Sequence, residues 1–210
     1  MVFPKTIAAG EFYWSMKNIT IIGSGNIGGN LARLLARKHQ VTVGSRDPEQ
    51  TGARLQGIKV ATYRETVQAA DIVVLAVPFP EVATLAKSLG SLSGKTIIDV
   101  INPLSADFMS LTVGFTQSAG ELVQSAFPDA HVVKAFNTIL ASVLVKAAEG
   151  ASNLPSVLIA GDHAPSNAAV VELAGACPKT ASFRRNVEKC SYAHRKNRQL
   201  CQHVSAGACT

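Results

Sequence analysis

The sequence predicts an α/β fold: a doubly wound, mostly parallel sheet forming one domain, with an irregular C-terminal tail. Two observations predict it. Short β-branched apolar runs alternate with stretches of helical periodicity over residues 17–176. The runs are apolar throughout rather than every second residue, as strands covered on both faces require. Such alternation builds a parallel sheet with helices on either side.

The first unit spans 18–46 and reads NITIIGSGNIGGNLARLLARKHQVTVGSR. Ile19, Thr20, Ile21 and Ile22 form a buried-strand run. Gly23-Ser24-Gly25-Asn26-Ile27-Gly28 follows and fits G-x-G-x-x-G. Leu31, Leu34 and Leu35 then recur at helical spacing, opposite Arg33, Arg37 and Lys38. A second strand, 40–43, ends in Gly44-Ser45-Arg46. A lone glycine motif also makes plain turns, but strand, glycines, amphipathic helix and strand in this order point to a dinucleotide-binding unit. Gly23 lets the chain turn off the strand, Gly25 leaves the backbone open to a pyrophosphate, and Gly28 lets the helix pack close to the sheet. The helix start then offers free N–H groups and the positive end of its dipole.

The tip of the second strand selects the cofactor. An acid there holds the ribose 2′-OH of NAD, whereas an arginine accommodates the 2′-phosphate of NADP. Ser45 and Arg46 stand at this tip and point to NADP, the guanidinium forking onto the phosphate and the hydroxyl donating to it. Such a charge-assisted bond contributes about 1.5–3 kcal/mol. The alternative is that Arg46 is a solvated charge and Asp47 binds the ribose.

The remaining elements follow in order. Asp47-Pro48 caps a short helix to Leu55, closed by Gly57. Strand 58–61 and helix 63–70 come next, then strand 72–77, which Pro78 ends. Helix 81–89 precedes strand 95–101, which runs into Asn102-Pro103. An Asn at that tip offers its amide to a nicotinamide or ribose, or else simply forms an Asx turn. Residues 104–118 read as an irregular loop bordering the site. Helix 120–127, strand 131–136 with Asn137-Thr138 at its tip, helix 139–148, strand 155–160 and helix 165–174 complete the pattern. From about Cys177 no periodicity is evident.

Hydrophobic residues make up 47% of the 210-residue chain and charged residues only 16%. The formal net charge of +6 arises from residue 179 onward, where seven basic residues face one acid, Glu188. The body is therefore neutral, which argues against specific nucleic-acid binding. All four cysteines, Cys177, Cys190, Cys201 and Cys209, lie in the same terminal stretch. They read as reduced thiols of a cytoplasmic protein. Cys190, His194, Cys201 and His203 lack the spacing of a zinc site, so no metal is expected. No apolar run reaches the ~20 residues of a membrane span. Residues 1–16 read as a disordered extension, since Met16 directly precedes the first strand and a misplaced start would explain the residues before it. Residues 177–210 read as a disordered or aberrant basic tail, as a frameshift would produce.

With these motifs in place, the chain resembles the NADPH-dependent deazaflavin (coenzyme F-420) reductases and their bacterial relatives. It is also similar to the cytosolic NADPH-binding domain of the six-transmembrane metalloreductases. The resemblance runs from about Lys17 to Leu173 and rests on IIGSGNIGGNLA, VGSRDP, DIVVLAVP, GKTIIDVINP, VVKAFNTI and LIAGD, in that order. It implies a Rossmann NADP-binding fold. It also implies that Ser24, Gly25, Asn26 and Ile27 contact the pyrophosphate, that Ser45 and Arg46 hold the 2′-phosphate, and that Val77 and Pro78 border the nicotinamide ribose. Asn102 and the backbone around Ala135, Phe136 and Asn137 would line the nicotinamide and a flavin-like or coenzyme F-420 acceptor. A further strand and a helical segment, closing the acceptor pocket and a homodimer contact, would follow Leu173; the sequence shows neither.

Hydride transfer between such rings needs no side-chain acid or base, because the cofactors carry the chemistry. The sequence accordingly offers no Ser–His–Asp set and no paired carboxylates, and no catalytic residue is assigned. His39 and His131 sit near element ends; His163 is the best outside candidate. Two rival readings stand beside this one. A pyrroline-carboxylate or hydroxyacid reductase would need a second helical domain, which the tail does not supply. A non-catalytic NADP-binding redox sensor would bind cofactor without turnover.

Overall fold

The computed structural model describes residues 16–107, 109–114, 116–151, 156–175 and 182–184. Its strands are β1 (Asn18–Ile22), β2 (Gln40–Ser45), β3 (Lys59–Thr62), β4 (Ile72–Leu75), β5 (Thr96–Asp99), β6 (His131–Lys134), β7 (Leu158–Gly161) and β8 (Ser182–Arg184). They form one sheet in the order β3-β2-β1-β4-β5-β6-β7-β8. β1 through β6 are mutually parallel, β7 runs antiparallel to β6, and β8 is parallel to β7. The winding reverses between β1 and β4, and a crevice opens at such a switch point beyond the strands' carboxyl ends.

The helices are α1 (Asn26–Leu35), α2 (Pro48–Arg54), α3 (Tyr63–Gln68), α4 (Val82–Leu89), α5 (Ala119–Ala126), α6 (Ala141–Ala148) and α7 (Ala164–Ala174), with a 3-10 turn at Phe79–Glu81. The continuous apolar strands are explained by two cores. Ile19, Ile21, Ile72, Val74, Ile98 and Val133 pack on one face with Leu31 and Leu35 of α1, Leu144 of α6 and Val170 of α7. The residues between them, Ile22, Val73, Leu75, Ile97 and Val132, pack on the other face with Val67, Leu85 and Val123 from α3, α4 and α5. Successive side chains of each strand thus enter different cores. Thr20 is the polar member of β1, and its hydroxyl donates to the Thr66 carbonyl at 2.6 Å.

Local chemistry sets the helix ends. The Asp47 carboxylate accepts the Gln50 N–H at 2.9 Å, and Pro48 occupies the first turn of α2. Ser118 and Glu121 form a reciprocal capping box on α5. The Arg37 guanidinium, at the end of α1, donates to the Ala147 and Ala148 carbonyls and so neutralises the end of α6.

The doubly wound, mostly parallel sheet is as the sequence predicts. Two features differ from that reading. β7 is antiparallel, a direction that its short apolar run does not encode. β8 lies within the stretch after Cys177 that shows no periodicity, and its three residues pair with Leu158, Ile159 and Ala160. Three residues are too few for a period to register. The four cysteines, His194, His203 and residues 1–15 lie outside the described residues. Among the described residues no helix is long and apolar enough to cross a membrane, and none of their side chains form a metal-binding cluster.

Candidate functional site

The carboxyl ends of β1, β2, β4, β5 and β6 carry the candidate site along one rim of the sheet. At the first, Gly23 adopts φ +101° and donates its N–H to the Gly44 carbonyl at 3.2 Å. A Cβ on Gly23 would lie 2.4 Å from the Ala76 carbonyl oxygen, so the turn is pressed between β1 and β4. A Cβ on Gly28 would lie 2.0 Å from the Gly23 carbonyl oxygen, which fixes how tightly α1 seats. Gly25 is the opposite case. It is the exposed N-cap of α1, and an added Cβ would meet no atom within 4 Å. The first intrahelical bond is Gly29 N–H to the Gly25 carbonyl at 2.8 Å. The N–H groups of Asn26, Ile27 and Gly28 are therefore left to an external acceptor. The first turn of α1 holds no acid, so its field stays positive.

At the tip of β2, Ser45 is buried. Its hydroxyl donates to the Asp47 carbonyl at 3.0 Å and accepts the Asp47 N–H at 3.1 Å. The Arg46 side chain is 77% exposed, and its Nη1 lies 4.0 Å from Glu81 Oε2. Burial raises the pKa of the neighbouring Tyr63 phenol, with Arg46 opposing and Glu81 adding to the shift. Asp47, the alternative ribose holder, is engaged in capping α2.

Two residues that the sequence reading missed join these halves. Thr51 and Arg54 share one face of α2, a spacing of three that was the available signal. Thr51 Oγ1 lies 2.8 Å from Ser45 Oγ and 3.4 Å from Ser24 Oγ. Arg54 Nη2 donates to the Ser24 carbonyl at 2.6 Å and to Ser24 Oγ at 2.9 Å.

Further along the rim, Val77 is buried facing Gly23, with Cγ1 3.2 Å from the position a Gly23 Cβ would take, while Pro78 is exposed and leads into the 3-10 turn. At the tips of β5 and β6, Asn102 and Asn137 pair. Asn102 Nδ2 donates to the Asn137 carbonyl at 2.8 Å, and Asn137 Nδ2 donates to Asn102 Oδ1 at 3.2 Å. Asn102 therefore bonds across the rim rather than into a local Asx turn. Ala135 and Phe136 are fully buried, and Phe136 holds φ 61°. A cleft of about 440 Å³, counted with its solvent-filled mouth, opens beside this pair. Asn102, Pro103, Leu111, Val113, Lys134 and Asn137 are among its walls. The loop over 104–118 supplies Leu111 and Val113, as expected of a loop bordering the site. Beneath the cleft, Lys134 Nζ donates to Asp99 Oδ2 at 2.9 Å and to the Ile101 carbonyl, while Asp99 Oδ1 accepts the Ile101 N–H at 2.8 Å. The pair follows from register, since Asp99 stands opposite Lys134.

The three described histidines lie elsewhere. His39 precedes β2 and His131 opens β6, both at the strands' amino ends. Because β7 is antiparallel, His163 falls on that same far rim, where its ring stacks on His131 at 3.6 Å and Nδ1 meets Ser166 Oγ at 2.9 Å. This placement removes His163 as a candidate for the chemistry.

The residues present fit a phosphorylated dinucleotide. The open backbone at Gly25 and the acid-free start of α1 suit a pyrophosphate, and Arg46 beside Ser45 and Arg54 beside Ser24 offer guanidinium donors. Comparison with known proteins agrees with the resemblance read from the motifs. Residues 18–103 match the family model for NADP oxidoreductase, coenzyme F420-dependent. The metalloreductase STEAP3 of Rattus norvegicus is 32% identical over 160 residues, covering 75% of this chain and 32% of that protein. The chain thus spans about a third of that relative's length. A crystal structure named as an F420-dependent NADP-reductase from Arthrobacter sp. FB24 superposes with a TM-score of 0.77 at 27% identity, covering 90% of this chain and 94% of the other. A pyrroline-5-carboxylate reductase from Coxiella burnetii superposes with a TM-score of 0.59 at 15% identity, over 93% of this chain and 73% of the other, which shows a shared fold.

Proposed function

We propose that this chain, whose residues 18–103 match the family model for NADP oxidoreductase, coenzyme F420-dependent, is an NADP(H)-dependent oxidoreductase passing hydride between NADPH and a flavin-like or deazaflavin acceptor. The observation that carries this reading is the continuity of the rim. An anion cradle at α1, guanidinium groups toward the tip of β2 and an open cleft at β5 and β6 lie along one rim, with the end of β4 between the cradle and the cleft.

NADPH, when bound, supplies the hydride; the protein's part is to bind, align and exclude water. The N–H groups at the start of α1 take the pyrophosphate. Arg46 forks onto the 2′-phosphate, and Ser45 holds the turn that presents it. Val77 and Pro78 border the ribose where β4 ends. The Asn102–Asn137 pair fixes two side-chain amides by their mutual hydrogen bonds, suited to orienting a carboxamide or the polar edge of a planar ring. Pro103, Leu111 and Val113 give the cleft an apolar wall that keeps water from the reacting carbon. A ring-to-ring hydride transfer asks for no acid or base on this rim, and the three described histidines are on the other one. The proposed partners are therefore a small flavin-like acceptor and a second copy of the chain, in a cytoplasmic setting.

The test is an anaerobic assay of NADPH oxidation with oxidised deazaflavin, flavin and ferric acceptors offered in turn. Turnover of a deazaflavin or flavin supports the reading. Tight NADPH binding with no turnover of any acceptor overturns it in favour of a sensor.

A further inference from the structure

We propose that Arg54 is a second cation of the 2′-phosphate subsite and, with Arg46, sets the preference for NADPH over NADH. This rests on the dinucleotide reading above.

The hydrogen bonds around α2 form a chain with one direction. Arg54 Nη2–H donates to Ser24 Oγ at 2.9 Å, leaving the Ser24 hydroxyl to donate to Thr51 at 3.4 Å. Thr51 then donates to Ser45 at 2.8 Å, and Ser45 donates to the Asp47 carbonyl at 3.0 Å. The Ser45 and Thr51 hydroxyl protons are thus spent inside the protein, and the Ser24 proton has only the long contact to Thr51. The guanidinium groups are the charged donors left for an added phosphate.

Arg54 is well placed to supply them. Its Nη2 also donates to the Ser24 carbonyl at 2.6 Å, next to the open backbone of Gly25, so the cation stands beside the cradle of α1, linked through Ser24 and Thr51 to Ser45 at the tip of β2. Its own carbonyl accepts Arg33 Nη2–H at 3.2 Å, which anchors the end of α2 beneath it. A guanidinium has five N–H donors. Among the described residues, those on Nε and Nη1 of Arg54 have no partner, and no carboxylate forms a salt bridge with it. Arg46, by contrast, already leans toward Glu81. A phosphate monoester carries about −1.5 to −2 near neutral pH. One guanidinium shared with a carboxylate falls well short of that charge, and Arg54 adds a full positive charge that no carboxylate offsets.

The test compares dissociation constants for NADPH and NADH, by calorimetry on the full chain, among wild type, R54Q, R54K and R46Q. R54Q is expected to weaken NADPH about tenfold and NADH less than about twofold, the loss of one charge-assisted bond. R54K keeps a cation and a donor for Ser24, and is expected to retain most of the NADPH preference. Equal weakening of both dinucleotides by R54Q, or none, overturns the assignment and leaves Arg54 a tie for the glycine turn. Should R54Q fail to fold, an R54K chain that folds and binds NADH as wild type does but has lost the preference for NADPH also overturns it, since charge would then not be what matters. Selective loss of NADPH in a chain that turns over no acceptor supports Arg54 while overturning the oxidoreductase reading. A wild type that binds neither dinucleotide overturns both.

Discussion

Replacing Asp99 by Asn removes one charge from a pair that has almost no access to water. The Asp99 and Lys134 side chains are 0% and 8% exposed. Asn keeps the shape and can still accept the Ile101 N–H, so the change isolates the charge. Lys134 would retain its bond to the Ile101 carbonyl but would be a buried ammonium without a counterion. Breaking a buried pair on one side costs about 3–5 kcal/mol. That is a large part of the ~5–15 kcal/mol that holds a domain folded. It corresponds to a fall of about 6–20 °C in Tm for a domain of this size. Urea unfolding followed by circular dichroism measures it as a lower midpoint at unchanged slope. The paired substitution of Leu for Asp99 and Met for Lys134 is the control. It removes both charges at similar volume and is expected to be neutral or stabilising by ~1–4 kcal/mol. A cost below ~1 kcal/mol for D99N would refute the reasoning, because it would mean that water from the cleft already solvates Lys134. Since Lys134 lines that cleft, the double variant is expected to fold, bind NADPH as wild type does and lose acceptor turnover.

Two further predictions follow from other parts of the fold. Gly28→Ala places a methyl 2.0 Å from the Gly23 carbonyl oxygen and 3.1 Å from Ala76 Cβ, so α1 must shift away from the sheet. A loss of ~1–3 kcal/mol is expected, with weaker binding of NADPH and NADH alike, checked by thermal melts and titration; wild-type values for both would refute it. His39 is held below its ordinary pKa of 6.5 by burial, with Glu172 opposing and Lys38 and Lys17 reinforcing the shift. The unfolded chain therefore takes up this proton first, so stability present above pH 6.5 declines as pH falls below it. Urea midpoints measured across that window are expected to drop in wild type and to lose that component in His39→Gln; an identical drop in both would refute the assignment.

The sequence made the rim legible where a residue type has one mechanical use. Gly23 and Gly28 had to be glycine for the strand-to-helix turn, and the structure places backbone where their Cβ atoms would be. The continuous apolar strands foretold helices on both sides because no other packing buries every side chain of Ile19–Ile22. Direction was not legible. The run ending at Gly161 reads the same whether it pairs parallel or antiparallel, yet that choice sends His163 to the far rim. Nor was α2 legible as part of the site. Thr51 and Arg54 look like solvated positions of a short helix, and their contact with Ser24 spans 27 and 30 residues. Asp99 and Lys134 are ordinary charges until register sets them opposite each other.

Phe136 is the one described non-glycine residue with positive φ, and its ring is buried. Such a backbone costs about 1–3 kcal/mol wherever it occurs, and the buried ring locks it in place. The bend turns the chain so that the next carbonyl, that of Asn137, faces the Asn102 amide. Folding alone therefore cocks this corner of the cleft before any guest arrives. A ring of the kind proposed above would meet a finished wall and spend none of its affinity on shaping it.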